Sequence, residues 1–243
     1  MTHPRPVFLF TDFGLAGPYV GQMTGAILGQ DPRLAVINLM HDAPAMRPDL
    51  SAYLLAACCS ALPPGSVVAA VVDPGVGGER AALVVETPSL TAVGPDNGLL
   101  SRLPGITRVQ VIDWRPAAMS SSFHGRDLFA PVAAMLAAGD LPAATAIVPG
   151  AMVGADWPGE VRQVVYIDAF GNLMIGIDAG NLSKNRHIRV PGHLIGHAET
   201  FCRAPPGGLF WYRNSQGLVE IAANRGSAAD ALGLVLGDKI LLD

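Results

Sequence analysis

The sequence predicts an α/β N-terminal domain with a mainly parallel sheet, followed by a small C-terminal all-β, barrel-like domain. Through the first 150 residues, apolar strand-like runs alternate with segments of helical spacing, as in parallel sheets that are covered on both faces. Residues 140–159 are rich in Ala, Pro and Gly and have weak periodicity. Beyond them, short strand-like runs follow one another with turns between them. We therefore expect domains over residues 1–150 and 160–243.

The elements of the N-terminal domain follow from apolar runs and their stop signals. The predicted strands are residues 7–10, 34–39, 67–72, 82–86 and 109–112, and the predicted helices are residues 19–28, 50–62 and 129–138. Asp49 can cap the second helix, and Gly139 suits a left-handed end for the third. Ligands of such sheets bind beyond the carboxyl ends of the strands. The polar, Gly-rich segments after the first and third strands are therefore expected at the binding edge of the sheet.

The C-terminal domain shows strand-like runs separated by turns. The predicted strands are residues 164–167, 173–177, 187–190, 209–212 and 219–222. Their close spacing predicts a small β domain, barrel-like in architecture.

Composition excludes several classes of protein. Half of the 243 residues are apolar and 15% are charged, so the chain can bury a sizeable core. The formal net charge of −4 offers no electrostatic case for binding nucleic acid or an anionic membrane. No apolar run reaches the roughly 18 residues that span a bilayer, and the N-terminus lacks the pattern of a signal peptide. We therefore expect a cytoplasmic protein that binds neither nucleic acid nor membranes.

The three cysteines are an odd number and give no disulfide framework. Cys58 and Cys59 are adjacent in an apolar run, without the spacing of metal ligands. We expect both to be buried as small hydrophobic side chains.

Two N-terminal segments place polar residues where a core would not need them. In Thr11-Asp12-Phe13-Gly14, the Asp12 carboxylate can accept hydrogen bonds from ribose hydroxyls, or it can act as a turn or cap residue. The segment 72–80, VDPGVGGER, has three glycines that let backbone approach a ligand. It lacks the Walker and dinucleotide patterns of a phosphate loop. Asp73 and Arg80 can form an ion pair across it, either as part of a site or as a structural pair.

The segment 120–127, SSSFHGRD, precedes the third predicted helix and places His, Arg and Asp close together. His124 is the best candidate in the chain for a general base or a water-positioning group, because imidazole titrates near neutral pH. We interpret Asp127 as a capping residue at the positive end of the helix.

Polar residues also cluster near strand ends of the C-terminal domain. They are Asp168 and Asn172, Asn214 and Ser215, and Asn224 and Arg225. Such residues suit turns, and they can also bind polar ligand groups such as an α-amino acid or the edge of an adenine.

Taken together, these segments resemble the S-adenosyl-L-methionine hydroxide adenosyltransferase family, which is related to the fluorinases and chlorinases. The resemblance extends over nearly the whole chain, in the order TDFG with YVGQMTGAIL, VVDPGVGGER, GPDNGLL, SSFHGRDLFAPVAA, DAFGN, NSQGLVEIAANRGSAADALGL and GDKI. Each motif is modest, but the ordered set is highly specific.

The resemblance implies a function and an assembly. The expected reaction is hydrolysis of S-adenosyl-L-methionine to adenosine and L-methionine, with no cofactor or metal. The expected assembly is a homotrimer whose active sites lie between the N-terminal domain of one subunit and the C-terminal domain of the next.

The resemblance also assigns residues. Asp73, Arg80 and His124 match the set that surrounds the attacking water, and Asp12 matches the ribose-binding carboxylate. The remaining substrate contacts implied are Phe123 and Gly125 beside His124, Asp168 and Ser215 around the methionine, Phe201 and Asn172 at the adenine, and the main chain around Asn224 and Arg225.

Two rival functions remain, a halogenase that forms 5′-chloro-5′-deoxyadenosine and a non-catalytic sensor of adenosine or S-adenosyl-L-methionine. In the halogenating relatives, Tyr stands at the position of Asp73 and Ser at that of Gly125. The negative charge of Asp73 would repel a halide and favours water. Two positions depart from related patterns. The family often has an acidic residue where Gly17 stands, and the fluorinase pattern has Arg where Gln216 stands, and these departures concern ribose and methionine contacts.

Overall fold

A computed structural model describes residues 5–243 of the chain. The chain forms two compact units, one ending at Trp157 and the other comprising Pro158–Asp243.

The N-terminal unit contains strands and helices, as predicted, and they alternate from Val7 to Val71. In order they are β1 (Val7–Thr11), α1 (Tyr19–Gln30), β2 (Val36–Met40), α2 (Pro48–Cys59), β3 (Ser66–Val71), β4 (Ala82–Glu86), β5 (Leu90–Pro95), β6 (Arg108–Ile112), α3 (Ala130–Ala138) and β7 (Ala144–Ile147). A π-type turn, Gly125–Phe129, leads directly into α3. Helix α3 ends at Gly139 with φ 93°, the left-handed stop that the sequence predicts.

These strands form one sheet of seven strands in the order β2-β1-β3-β5-β4-β6-β7. Strands β2, β1, β3 and β5 are parallel to one another. The pairs β5–β4, β4–β6 and β6–β7 are antiparallel. Strands β1 and β3 are neighbours in register, with Thr11 opposite Val71. The segments that follow them, which contain Asp12 and Asp73, therefore leave the sheet side by side.

A hydrophobic core fixes this edge of the sheet. β1 and β3 are buried throughout, and Met23 and Ile27 of α1 are fully buried with Phe129 before α3. Each such side chain contributes about 1.5–3 kcal/mol when it leaves water. The polar segments after β1 and β3 are thus held by a rigid layer beneath them.

The three cysteines are all free. Cys59 is buried and Cys58 is half-buried, and burial raises the pKa of these thiols to about 12 and about 11. Cys202 is exposed. Among residues 5–243, no helix is long and apolar enough to cross a membrane.

The C-terminal unit is mostly antiparallel β structure. Its elements are β8 (Val164–Ile167), β9 (Leu173–Asp178), β10 (Ile188–Val190), β11 (His193–Ile195), β12 (Leu209–Arg213), β13 (Leu218–Ala223), α4 (Ala228–Leu232) and β14 (Leu241–Leu242). They form one sheet in the order β12-β13-β9-β8 and another in the order β11-β10-β14. The predicted all-β character is confirmed for the sheets, and the barrel-like closure stays a prediction.

The four-stranded sheet has one face in the core and one face on a cavity. Trp211 and Ile221 are opposite each other on the core face and are almost fully buried. Because successive strand residues point to opposite faces, Tyr212 and Glu220 lie on the other face, also directly opposite each other. That face forms the floor of a cavity in the C-terminal unit.

Candidate active site

Most of the predicted site residues line two cavities, one in each unit. The N-terminal cavity has a volume of about 250 Å³, and its lining includes Asp12, Asp73, Phe123, His124 and Gly125. The C-terminal cavity has a volume of about 910 Å³, and its lining includes Asp168, Asn172, Phe201, Ser215 and Arg225.

Asp12 lies at the carboxyl end of β1, where the sequence predicts a ligand-binding carboxylate. Its carboxylate accepts a hydrogen bond of 3.0 Å from the backbone N–H of Met46. Burial raises the pKa of Asp12, and nearby Asp73 raises it further, against the lowering effect of the Met46 bond. Met46 has φ 57°, a strained backbone for a residue with a side chain, at the edge of the cavity.

Arg80 joins Asp73 and His124 into one hydrogen-bonded set. Its Nε donates to both carboxylate oxygens of Asp73, at 3.0 and 3.1 Å, and its Nη2 also donates to Asp73. The same Nη2 lies 2.8 Å from Nδ1 of His124. The side chains of Asp73 and Arg80 are only 4% and 12% exposed, so solvent screens this pair weakly.

The contact with Arg80 fixes the protonation state of His124. A guanidinium can only donate, so Nδ1 of His124 must accept, and the ring is neutral with its proton on Nε2. The pKa of His124 is lowered, first by burial and then by the charge of Arg80, although Asp73 opposes this shift. Nε2–H is therefore the group through which His124 can hold a ligand.

Two local features give the segment 72–80 its shape. Gly77 has φ 80°, and a Cβ there would lie 2.3 Å from the carbonyl oxygen of Ser121, so the two polar segments pack backbone against backbone. Nδ2 of Asn97 donates to the carbonyl of Val72 at 2.9 Å. The turn sequence 95–98, PDNG, thus holds the start of the segment 72–80 in place. The residue types of a turn do not by themselves predict this long-range hydrogen bond.

Aromatic rings border the N-terminal cavity. Phe13 and Phe123 have ring centroids 5.7 Å apart, and Tyr19 lies 5.4 Å from Phe123. A Cβ at Gly125 would lie 3.0 Å from Phe123 and 3.3 Å from both Met23 and Phe13. Gly125 therefore allows the close packing of this apolar wall. Phe13, which lines the cavity, is a functional candidate that sequence reasoning missed, because its contact with Phe123 joins side chains from separate segments.

Asp168 organises a turn at the edge of the C-terminal cavity. Oδ1 accepts from the backbone N–H groups of Phe170 and Asn172, and Oδ2 accepts from Nδ2 of Asn172, each at 2.9 Å. Asn172 is buried, and its Oδ1 has no hydrogen-bond partner. A buried acceptor without a partner is costly, and a ligand N–H donor would satisfy it.

The remaining C-terminal candidates surround the same cavity. Phe201 packs edge-on against Phe210 and Tyr212, with centroids 5.2 and 5.6 Å away. Ser215 is exposed in the turn between β12 and β13. Arg225 has φ 61°, and Nδ2 of Asn224 donates to the carbonyl of Ala204 at 2.7 Å.

Sequence reasoning missed Tyr212 and Glu220 in this cavity. Both line it, and the hydroxyl of Tyr212 donates to the carboxylate of Glu220. A signal was present, since Glu220 interrupts the apolar run 218–223, LVEIAA. Its partner could not be named without the register of β12 and β13.

Comparisons with known proteins agree over the whole chain. Models of the SAM hydroxide adenosyltransferase N-terminal and C-terminal domains match residues 7–146 and 162–241. The protein named (R)-S-adenosyl-L-methionine hydrolase from Salinispora arenicola is 40% identical, over 95% of this chain and 94% of that protein. The protein of the same name from Thermus thermophilus is 36% identical, over 98% of this chain and 99% of that protein.

Solved structures share the fold. An uncharacterized conserved protein from Thermotoga maritima superposes with a TM-score of 0.88 at 29% identity, covering 98% of this chain and 100% of that chain. A conserved hypothetical protein from Thermus thermophilus superposes with a TM-score of 0.80 at 34% identity, with the same coverage. The fold, the ordered motifs and these matches together establish that the chain belongs to the SAM hydroxide adenosyltransferase family.

Proposed function

We propose that this chain hydrolyses S-adenosyl-L-methionine to adenosine and L-methionine. The observation that carries the proposal is the hydrogen-bonded set of Asp73, Arg80 and His124 at the N-terminal cavity. Curated relatives that bear the hydrolase name match this chain nearly end to end. A carboxylate in this cavity disfavours a halide and favours water, so hydrolysis is preferred over halogenation.

The reaction is an in-line attack of water on C5′ of the ribose. The new C5′–O bond forms as the C5′–sulfur bond breaks, and the sulfonium leaves as the neutral thioether of methionine. Because the sulfonium is already a good leaving group, the protein has to place the water and accept its proton. Asp12 holds the ribose hydroxyls and thereby fixes C5′.

Within the set, Asp73 is the better acceptor for the proton of water. Nδ1 of His124 already accepts from Arg80, and Nε2 already bears a proton. His124 therefore donates from Nε2 to the oxygen of the water, while the Asp73 carboxylate accepts from it. Arg80 keeps Asp73 oriented and compensates charge as hydroxide character develops.

The C-terminal cavity holds the adenine and the methionine. Phe201 stacks on the adenine, the unpartnered Oδ1 of Asn172 accepts from an amine of the substrate, and the main chain near Asn224 and Arg225 borders the base. Asp168 and Ser215 bind polar groups of the methionine. Phe123 and Gly125 supply the apolar wall near the reacting carbon.

The assembly we propose is a homotrimer in the cytoplasm, in which neighbouring subunits supply the N-terminal and C-terminal halves of each site. The support is the resemblance of the whole ordered motif set to the family. Each unit of the chain has a cavity lined by part of the predicted site.

The test measures, by chromatography, the adenosine formed from S-adenosyl-L-methionine that contains both sulfonium epimers, with chloride present and absent. We expect adenosine in both, because water is the nucleophile. Formation of 5′-chloro-5′-deoxyadenosine would assign a halogenase, and tight binding without any product would assign a sensor.

The names of the relatives specify the (R) configuration at sulfur. We expect the same preference here, since the sulfur configuration sets the direction of the methionine relative to C5′. From a mixture of the two epimers, the amount of adenosine formed should equal the amount of the (R) epimer, and the reaction should then stop. Complete consumption of both epimers at one rate would contradict the preference.

A further inference from the structure

We infer that Glu220 is a positioning residue of the C-terminal cavity, because it fixes two of the cavity's walls through Tyr212 and Asn214. This inference rests on the proposed function and extends it to residues that the proposed mechanism does not use.

Glu220 occupies an unusual place for an acid. It is 3% exposed, in the middle of β13, a strand that is otherwise apolar and buried on both sides. On its face of the sheet it lies beside Tyr212 of β12 and Met174 of β9, which also line the cavity. A leucine would fill this place without the cost of burying a carboxylate, so packing alone does not account for Glu220.

One oxygen of Glu220 holds an aromatic wall. The hydroxyl of Tyr212 donates to Oε1 from the directly opposed position on the neighbouring strand. The Tyr212 ring packs against Phe201, the ring that we propose stacks on adenine. Glu220 thus sets the position of the surface behind the adenine.

The other oxygen holds the turn between β12 and β13. Nδ2 of Asn214 donates to Oε2 at 3.0 Å. Oδ1 of Asn214 accepts from the backbone N–H groups of Gln216 and Leu218, at 3.0 and 2.9 Å. This arrangement fixes the turn that presents Ser215, a proposed methionine contact.

A carboxylate suits this task because both of its oxygens can accept at once. Burial raises the pKa of Glu220, and Asp168 raises it further, while the bonds from Tyr212 and Asn214 oppose the shift. The two donors thus stabilise the ionised form that connects the two walls.

The test compares Glu220→Leu with Glu220→Gln in the full-length protein. Leucine leaves the hydroxyl of Tyr212 and the amide of Asn214 without a partner. Glutamine can accept from Asn214 and donate to the hydroxyl oxygen of Tyr212, so both connections persist. We expect Glu220→Leu to raise KM, and to weaken adenosine binding in calorimetry, by about tenfold. Glu220→Gln should stay within about threefold of the wild type in both.

A change in positioning should appear in KM and in adenosine affinity, with kcat within about threefold of the wild type. Tyr212→Phe removes the hydrogen bond to Glu220 and keeps the ring. As a single substitution it should weaken adenosine binding, and in the Glu220→Leu background it should cause no further loss. Glu160→Leu is the matched control. Glu160 is an exposed acid of the same unit that also accepts two hydrogen bonds, from the backbone N–H of Asp178 and from Nδ2 of Asn181. Its loss should leave KM unchanged.

Unchanged KM and adenosine affinity in Glu220→Leu would overturn the inference, as would a loss in Glu220→Gln equal to that in Glu220→Leu. If Glu220→Leu does not fold, Tyr212→Phe decides, and unchanged adenosine affinity in that variant overturns the inference. Calorimetry with adenosine needs no turnover. A wild type that binds adenosine but forms none would therefore contradict the proposed function and leave the inference on Glu220 measurable.

Discussion

Asp73 forms an ion pair with the guanidinium of Arg80, and we propose that its negative charge makes the N-terminal cavity favour water over a halide. Asp73→Asn keeps the size of the side chain but removes that charge and most of its ability to accept a proton. We expect kcat to fall by about 10²- to 10⁴-fold, measured as adenosine release.

The matched control for Asp73→Asn is Asp49→Asn. Asp49 also forms a bidentate ion pair with an arginine, Arg47, but the side chains of both partners are more than 40% exposed. Exposed pairs contribute about 0–1 kcal/mol, so this variant should keep full activity. Equal losses in the two variants would show that Asp73 has no special role.

The state of His124 makes activity depend on pH. Its pKa lies below the usual 6.5, so the neutral ring that accepts from Arg80 persists to a pH below 6.5. As pH falls through the lowered pKa, Nδ1 gains a proton that faces an N–H of Arg80, and the set breaks. We expect kcat/KM to be level around neutrality and to fall only at a pH below 6.5, measured from about pH 5 to about pH 8.

His124→Asn should remove this acid limb along with most of the activity. An acid limb centred at or above pH 6.5 would contradict the lowered pKa.

Residues near one another in sequence were easier to join than distant ones. The spacing of Asp73 and Arg80 already allowed an ion pair, whereas Arg80 and His124 are 44 residues apart and only the family resemblance connected them. The pair of Tyr212 and Glu220 was missed because it depends on strand register, which local sequence does not specify.

At the scale of elements, the segment 72–80 packs against the segment 120–127 at Gly77 and Ser121, and we expect this contact to keep Asp73, Arg80 and His124 in place. Gly77→Ala tests it, because a Cβ at Gly77 would lie 2.3 Å from the carbonyl oxygen of Ser121. We expect lower stability and a large loss of kcat, since the segment that precedes His124 must shift.

Gly139→Ala is the control for the backbone cost alone. Gly139 has a similar φ of 93°, but a Cβ there would meet nothing within 4 Å. Chemical unfolding should show a loss of about 1–2 kcal/mol in this variant, with kcat unchanged. If Gly77→Ala keeps full kcat, the packing of the two segments does not control the site.

Element boundaries follow the strength of the apolar signal. The runs that became β1, β3 and β4 are continuous and apolar, and their predicted bounds differ from the observed bounds by at most one residue. Strands β5, β7, β11 and β14 were missed. β5 contains Thr91, Gly94 and Pro95, which weaken its apolar signal. Gly94 is needed there, because a Cβ would lie 2.4 Å from the carbonyl oxygen of Ala70 on the neighbouring strand.

At the scale of the whole molecule, complementation tests whether two subunits share each site. We expect Asp73→Asn to inactivate the N-terminal half of a site and Asp168→Asn to weaken the C-terminal half. When the two variants are co-expressed, random mixing gives about a quarter of the shared sites both intact halves. We expect adenosine release well above that of either variant alone, together with a trimer in light scattering.

If adenosine release from the co-expressed variants does not exceed the sum of the rates of the two separate variants, both halves of the site belong to one chain. Mixing the purified variants without co-expression is the control, because we expect subunits that have already assembled to exchange slowly.

The distribution of the three thiols offers a way to observe the enzyme without altering its chemistry. Cys58 and Cys59 are protected by burial, so a maleimide dye at neutral pH should label Cys202 first. Cys202 directly follows Phe201, the ring proposed to meet adenine. A fluorophore on the natural sequence would then report nucleoside arrival and departure in real time, so stopped-flow fluorescence could separate product release from bond cleavage.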